Sequence, residues 1–246
     1  MSEFETRTVR AGDANSPTLL VPSRRTLFLG VGTLTAAIAA GTAPAMAAGN
    51  LRRGDRGPEV TKLQQELNRR RYWCGKVDGS FGPTTQQAVY AIQKAAGLSK
   101  DGVVGPKTRG ALSDGVLPKK TIGGSGFEVD LSQQLLLAVS GGTLMHVFNT
   151  STGSGERYYS GGRWKTATTP KGDFSMYRLI KSGWQDAPLG RLYRPGYYDR
   201  GWAIHGSTSI PTYPASHGCS RISVAASDGL WSVGWFRKGM RVKVRA

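Results

Sequence analysis

The apolar residues of this chain change their period once, and that change limits what it can fold into. Up to residue 113 they recur at helical spacing: Val60, Leu63 and Leu67 follow Pro58, and Ala88, Ile92 and Ala95 follow Pro83. From Phe127 they alternate instead, with Glu128 and Asp130 lying between Phe127, Val129 and Leu131. Gln133–Val139 is a β-forming run that meets a turn at Gly141-Gly142, and Leu144–Phe148 follows as its hairpin partner. Thr169–Tyr177, Trp202–His205, Ile222–Val224 and Met240–Val244 supply further short strands between glycine-rich turns. The pattern predicts a small helical domain followed by an antiparallel β sandwich or barrel.

The helical part carries an internal repeat. Asp78-Gly79-Ser80-Phe81-Gly82-Pro83-Thr84-Thr85 with Ala88 recurs 23 residues later as Asp101-Gly102-Val103-Val104-Gly105-Pro106-Lys107-Thr108 with Ala111. In each copy Gly-Pro opens a helix, where the missing proline N–H costs nothing. Three helices are therefore expected over residues 48–113. Residues 114–126, rich in Gly, Pro and Lys, read as a flexible linker, and residues 127–246 as the β domain.

Residues 1–47 read as an export signal. Arg24-Arg25 precede an apolar run over 27–40, and Ala45-Met46-Ala47 offers small residues for cleavage. The paired arginines point to the twin-arginine route. The run is 14 residues, short of the ~20 that span a bilayer, so no membrane span is expected after cleavage. The formal charge of +17 attracts polyanions. No nucleic-acid module is legible, which leaves anionic cell-wall polymers as the expected counter-surface.

Reactive side chains are scarce: two cysteines and three histidines. Three of the five gather near the C-terminus as Ile204-His205-Gly206 and Ser216-His217-Gly218-Cys219-Ser220-Arg221. A thiol near its ordinary pKa of about 8.5 is mostly protonated at neutral pH, and a neighbouring imidazole activates it. His205 is the candidate base and Cys219 the candidate nucleophile. No acid lies in residues 200–227, so the Gly206 carbonyl is the expected orienter of the imidazole. Gly218 permits a tight turn, and the amides of Gly218 and Cys219 could face an oxyanion, with His217 shaping that turn or donating a hydrogen bond to substrate. Arg221 is a candidate for binding a substrate carboxylate or for bracing the loop, with Ser216 and Tyr213 as further substrate contacts. His146 reads as a packed histidine and Cys74 as a buried structural residue; a Cys74–Cys219 disulfide is the inert alternative.

Two resemblances join these readings. Leu51, Gly57, Val60, Leu63-Gln64, Leu67, Asp78-Gly79, Phe81-Gly82, Ala88-Val89, Gln93 and Asp101-Gly102 resemble the peptidoglycan-binding family of three-helix modules. Val129-Asp130-Leu131-Ser132-x-Gln134, Thr169-Pro170-x-Gly172-x-Phe174, Ile204-His205-Gly206 and Ser216-His217-Gly218-Cys219-x-Arg221 resemble the L,D-transpeptidase catalytic family. Ser220 stands where that family often has an apolar residue. The resemblance implies a cysteine that attacks the third residue of a peptidoglycan tetrapeptide stem, releases D-alanine and passes the acyl group to a neighbouring amine as a 3→3 crosslink. It implies no metal or other cofactor, peptidoglycan stems and glycan as partners, a cell-wall location, and inhibition by carbapenems. Three rivals stand beside it: an L,D-carboxypeptidase using water, a zinc peptidase built on His146, His205, His217 and Cys219, and a non-catalytic wall-binding protein.

Overall fold

A computed structural model describes residues 49–246; the expected export signal lies outside the described residues. Helices α1 (Pro58–Arg69), α2 (Pro83–Ala95) and α3 (Pro106–Ser113) each begin with proline directly after a glycine, as the repeat predicts. Each Asp-Gly turn of the repeat is also gripped by a buried glutamine from the preceding helix. Gln64 Nε2 donates to Asp78 Oδ1 at 2.8 Å while its Oε1 accepts from the Gly79 amide at 2.9 Å. Gln93 does the same with Asp101 and Gly102, at 2.7 and 3.0 Å.

The β part begins with β1 (Gly126–Asp130), β2 (Leu135–Ser140) and β3 (Thr143–Asn149). A protruding hairpin, β4 (Arg157–Ser160) and β5 (Arg163–Thr166), follows, then β6 (Gly172–Ser175), β7 (Arg178–Leu179) and β8 (Trp184–Gln185). The chain ends with β9 (Leu192–Asp199), β10 (Trp202–Ser207), β11 (Ser220–Ser223), α4 (Val224–Ser232) and β12 (Arg241–Arg245). Two sheets result: β3-β2-β1-β12-β6, and β11-β10-β9-β7 with β8 beside β9. The pairing is mostly antiparallel, but β1 with β12 and β10 with β11 run parallel. The expected mainly β domain is found, and these two parallel pairs are the departure from its antiparallel pattern. Each parallel pair needs a crossover, and α4 lies on the route from β11 to β12.

Phe127, Val129, Leu136 and Ala138 of the first sheet meet Ile204, Ile222 and α4's Leu230 in the core between the sheets. The alternate residues Leu135, Leu137 and Val139 point the other way, into a core shared with Val60, Leu67 and Ile92 of the helices. This explains the unbroken apolar run of β2: both of its faces are buried. The helical module also covers the edge of β3, where Trp73 N donates to Val147 O at 3.2 Å and Val147 N to Arg71 O at 2.7 Å. Module and sheets form one compact unit.

The expected flexible linker is instead fastened along its length. Tyr72 Oη donates to Val116 O at 2.8 Å, and the amides of Thr121 and Ile122 donate to Glu128 Oε2 at 2.7 and 2.6 Å. Arg245 ties Lys119 O, Glu128 and Asp130 together. Glu128 and Asp130, which alternation alone would expose, are buried and share Arg245 as their ion-pair partner.

Candidate active site

The parallel register of β10 and β11 builds the site. His205 lies opposite Arg221 and Ile204 opposite Ser220. Alternation along a strand then turns His205, Arg221 and Cys219, one pace before β11, to one face, while Ile204 and Ile222 fill the core on the other. Ser220 faces that core too, fully buried, with no hydrogen-bond partner for its Oγ. His205 also sits where the register of β10 against β9 slips, between Ile204 and Gly206. Bulges of this kind re-aim a side chain.

Ring and carbonyl orient each other as the sequence suggests. His205 Nδ1 lies 2.9 Å from Gly206 O, which makes Nδ1 the protonated nitrogen and leaves Nε2 as the basic one. Gly206 has no room for a side chain: a Cβ there would stand 2.9 Å from Tyr193 Cδ1 and 3.1 Å from Ser227 Cβ. Burial pushes the imidazole down to about 4, the nearby Arg221 charge adds to this, and the Gly206 carbonyl opposes it. Burial also pushes the Cys219 thiol up, against the Ala203 amide and Arg221. The resting pair at neutral pH is therefore a neutral thiol and a neutral imidazole rather than a preformed ion pair.

The loop before Cys219 is held by its own hydroxyl. Ser216 Oγ donates to Cys219 O at 2.6 Å and accepts from Gly218 N at 2.9 Å. This revises two expectations. The Gly218 amide is engaged inside the turn, which leaves that of Cys219 as the amide available to an oxyanion. Ser216 lines the cavity, but it is 3 % exposed and its hydroxyl is occupied within the turn, so what it does here is brace the loop. Tyr213 is a third correction: at 63 % exposure it stands outside the cavity lining and contributes its carbonyl, which accepts from Ser151 Oγ at 2.8 Å. Gly218 has φ 134° and a Cβ would meet Trp202 Nε1 at 2.5 Å, so the turn tolerates only glycine. Thr169 completes the clamp: Oγ1 donates to Gly218 O at 2.6 Å and accepts from Gly153 N at 2.9 Å. Its role was not read from the residues, although the Thr-Pro motif contains it.

Cys219, His205, His217 and Arg221 open into a cavity of about 730 Å³. One wall is the β4–β5 hairpin, whose Tyr158 ring meets His217 edge-on at 4.8 Å. Tyr197 and Trp202 also line the cavity, whereas Tyr198 turns into the core. Arg163, Lys165, Arg178, Arg191, Arg200 and Arg221 line this cavity and no carboxylate does. Arg191 and Arg200 pair with Asp186 and Asp199. The half-buried Arg221 guanidinium makes no ion pair or hydrogen bond among the described residues and is suited to an anionic ligand.

His146 lies on β3, 6.0 Å from the Phe148 ring and away from the cavity; burial, then Arg71, holds it below the usual histidine range. Cys74 is free and buried, with Sγ 3.4 Å from Gln64 O. Both cysteines are unpaired. Among the described residues no three His, Cys, Asp or Glu side chains come together as a metal-binding group, and no helix is long and apolar enough to cross a membrane.

Comparison with known proteins agrees with the two-part architecture. Residues 56–112 match the peptidoglycan binding domain family and residues 125–244 the L,D-transpeptidase catalytic domain family. An N-acetylmuramoyl-L-alanine amidase of Bacillus licheniformis is 42% identical over 65 residues, covering 26% of this chain and 18% of the amidase. A spore cortex-lytic enzyme of Bacillus cereus is 34% identical over 85 residues, covering 35% of this chain and 33% of that enzyme. The chain thus spans a third or less of these curated relatives. The crystal structure of an L,D-transpeptidase from Xylanimonas cellulosilytica superposes with a TM-score of 0.76 at 48% identity, over 79% of this chain and 97% of that one. On this likeness, and on the catalytic-domain match, the chain belongs to the L,D-transpeptidase family and is an enzyme of that family.

Proposed function

We propose that this enzyme forms 3→3 crosslinks between peptidoglycan stem peptides through a thioester on Cys219. The observation that carries the reading is the His205 ring fixed by the Gly206 carbonyl on the same strand face, and in the same cavity, as the Cys219 sulfur. His205 Nε2 takes the thiol proton as Sγ attacks the carbonyl of the third, L-configured residue of a tetrapeptide stem. The Cys219 amide faces the developing oxyanion. Collapse breaks the amide bond to the terminal D-alanine, whose nitrogen receives the proton from His205. The side-chain amine of a second stem then attacks the thioester and gives up a proton to His205 Nε2. The crosslink forms, the sulfur leaves as thiolate, and the proton returns to it. General-base assistance of this kind is worth about 10²–10⁴-fold.

The neutral resting imidazole suits this cycle, because it can accept a proton at each acylation without first losing one. Arg221 and the unpaired cations of the cavity wall would meet the carboxylates of the stems. The three-helix module would bring the enzyme to peptidoglycan, and the overall charge of +17 would favour anionic wall polymers. Export by the expected twin-arginine signal at residues 1–47 would place the enzyme there. The test is mass spectrometry of muropeptide products. A crosslinked dimer with release of one D-alanine, lost in Cys219→Ala, supports the reading; a tripeptide alone supports hydrolysis by water, and unchanged stems refute both.

A further inference from the structure

We infer that the helical module is part of the active-site framework, and that Gln87 and Lys94 of α2 are positioning residues for the loop that carries Cys219. The two lie seven residues apart, on one face of the helix. Both reach across the seam into the β domain.

Gln87 acts on the loop directly. The connection from β10 to Cys219 passes through Ile210, which is buried. Its carbonyl accepts from Gln87 Nε2 at 3.4 Å and from Asn149 Nδ2 at 3.2 Å. Asn149 Nδ2 also donates to Gln87 Oε1 at 2.6 Å, so the two amides hold each other and the loop together.

Lys94 acts through a relay. Its side chain is buried, and Nζ donates to Gln134 O at 2.9 Å and to Thr150 O at 3.0 Å. A buried ammonium is costly without such partners. Gln134 is held at a left-handed φ of 54°, which turns its carbonyl toward Lys94 and the Thr150 amide. Its side chain donates to Thr152 Oγ1 at 2.7 Å and accepts from Thr152 N at 2.9 Å. Thr152 O in turn accepts from the amides of Ala215 and Ser216, at 3.0 and 2.9 Å. Ser216 is the hydroxyl that sets the Gly218–Cys219 turn. Beside this relay, Thr150 Oγ1 donates to Arg221 O at 2.8 Å. Residues 149–152 are thus a buried bed under the catalytic loop, and α2 pins that bed from behind.

The connector is fastened and the hydrophobic core is shared, so the module cannot be a freely tethered wall anchor. Any wall contact must use its surface away from α2's buried face. Conventional binding modules could be removed without effect on the chemistry; this one could not.

The test uses the full chain. The rate of Cys219 acylation by a carbapenem is measured by mass spectrometry, and amide exchange is followed over residues 208–219. In Gln87→Ala and in Lys94→Met, acylation should fall about tenfold, in line with the cost of misplaced catalytic groups. Exchange in the loop should quicken while unfolding remains a single cooperative transition. Gln87→Glu keeps the acceptor for Asn149 but not the donor to Ile210, and its acylation rate should fall between those of the parent and Gln87→Ala. Lys107→Ala, exposed on α3, should match the parent. Parental acylation and parental loop exchange in a folded Gln87→Ala would overturn the inference. Should the parent itself resist the carbapenem, that failure counts against Cys219 as nucleophile, and loop exchange decides the positioning role by itself.

Discussion

Thr169→Val removes one hydroxyl and leaves two buried backbone groups behind. The Thr169 side chain is 4 % exposed; it donates to Gly218 O at 2.6 Å and accepts from Gly153 N at 2.9 Å. Neither group has another partner among the described residues. Valine nearly preserves the volume, so the loss is polar rather than a cavity. A buried donor or acceptor left without a partner costs ~1–3 kcal/mol, and partial relaxation of the exposed-side turn puts the sum at about 3 kcal/mol. In a domain of this size each kcal/mol lowers Tm by about 2–4 °C, so calorimetry should show a fall of roughly 6–12 °C. The functional effect should exceed that of a remote lesion of equal cost. The freed Gly218 carbonyl lies next to Cys219, the proposed nucleophile, and its acylation, followed by mass spectrometry at a temperature where the variant is folded, should slow at least about tenfold. Thr169→Ser retains the hydroxyl and should remain close to the parent in both assays. A Thr169→Val protein that melts within about 1 °C of the parent and acylates at the parental rate would refute the clamp.

Further outcomes follow from the same geometry. Because burial holds His205 down to about 4, the base stays neutral through mild acid, and the acylation rate should show its acid limb near pH 4 instead of near 6.5. The stability linked to this ring has the same sign: it is fully present above 6.5 and lost as pH falls through about 4, since the unfolded chain binds the proton first. Urea titrations at stepped pH should find that loss reduced in His205→Gln. Gly206→Ala inserts a Cβ 2.9 Å from Tyr193, and overpacking of this kind costs ~1–3 kcal/mol; it should also move the carbonyl that orients His205, so kcat should fall more than KM rises. Amidating a stem carboxylate should weaken binding about tenfold, since hydrogen bonds to charged groups are worth ~1.5–3 kcal/mol. In Arg221→Gln that discrimination should disappear; equal KM values for amidated and free stems in the parent would count against Arg221 as the carboxylate site.

The helix starts were legible because a Gly-Pro pair states a local geometry that no distant contact needs to supply. Cys219 and His205, the proposed nucleophile and base, stood out for a different reason: scarce reactive residues fell in one short string, and the strand pairing that brings His205 beside it is a short-range matter. The connector misled, because its composition is that of a flexible segment while its anchors, Glu128 and Arg245, lie far apart in sequence. The Gly218 amide misled similarly. Gly-Cys at a turn suggests two free N–H groups, but Ser216 Oγ, two residues upstream, takes one of them. Tyr213 was assigned by proximity to the nucleophile, and proximity in sequence does not decide which way a loop side chain faces. Lys94 and Gln87 carried no signal, since a lysine and a glutamine on an amphipathic helix ordinarily face water; only the docking of α2 on β3 buries Lys94 and half-buries Gln87.

The most direct measurement is the mass of the protein caught during turnover with a tetrapeptide stem and no acceptor amine. The account predicts an adduct equal to the stem minus D-alanine, mapped to the peptide containing Cys219, released by an added amine and absent in Cys219→Ala. An adduct that persists in Cys219→Ala, or crosslinked product formed while the sulfur is never acylated, would contradict it.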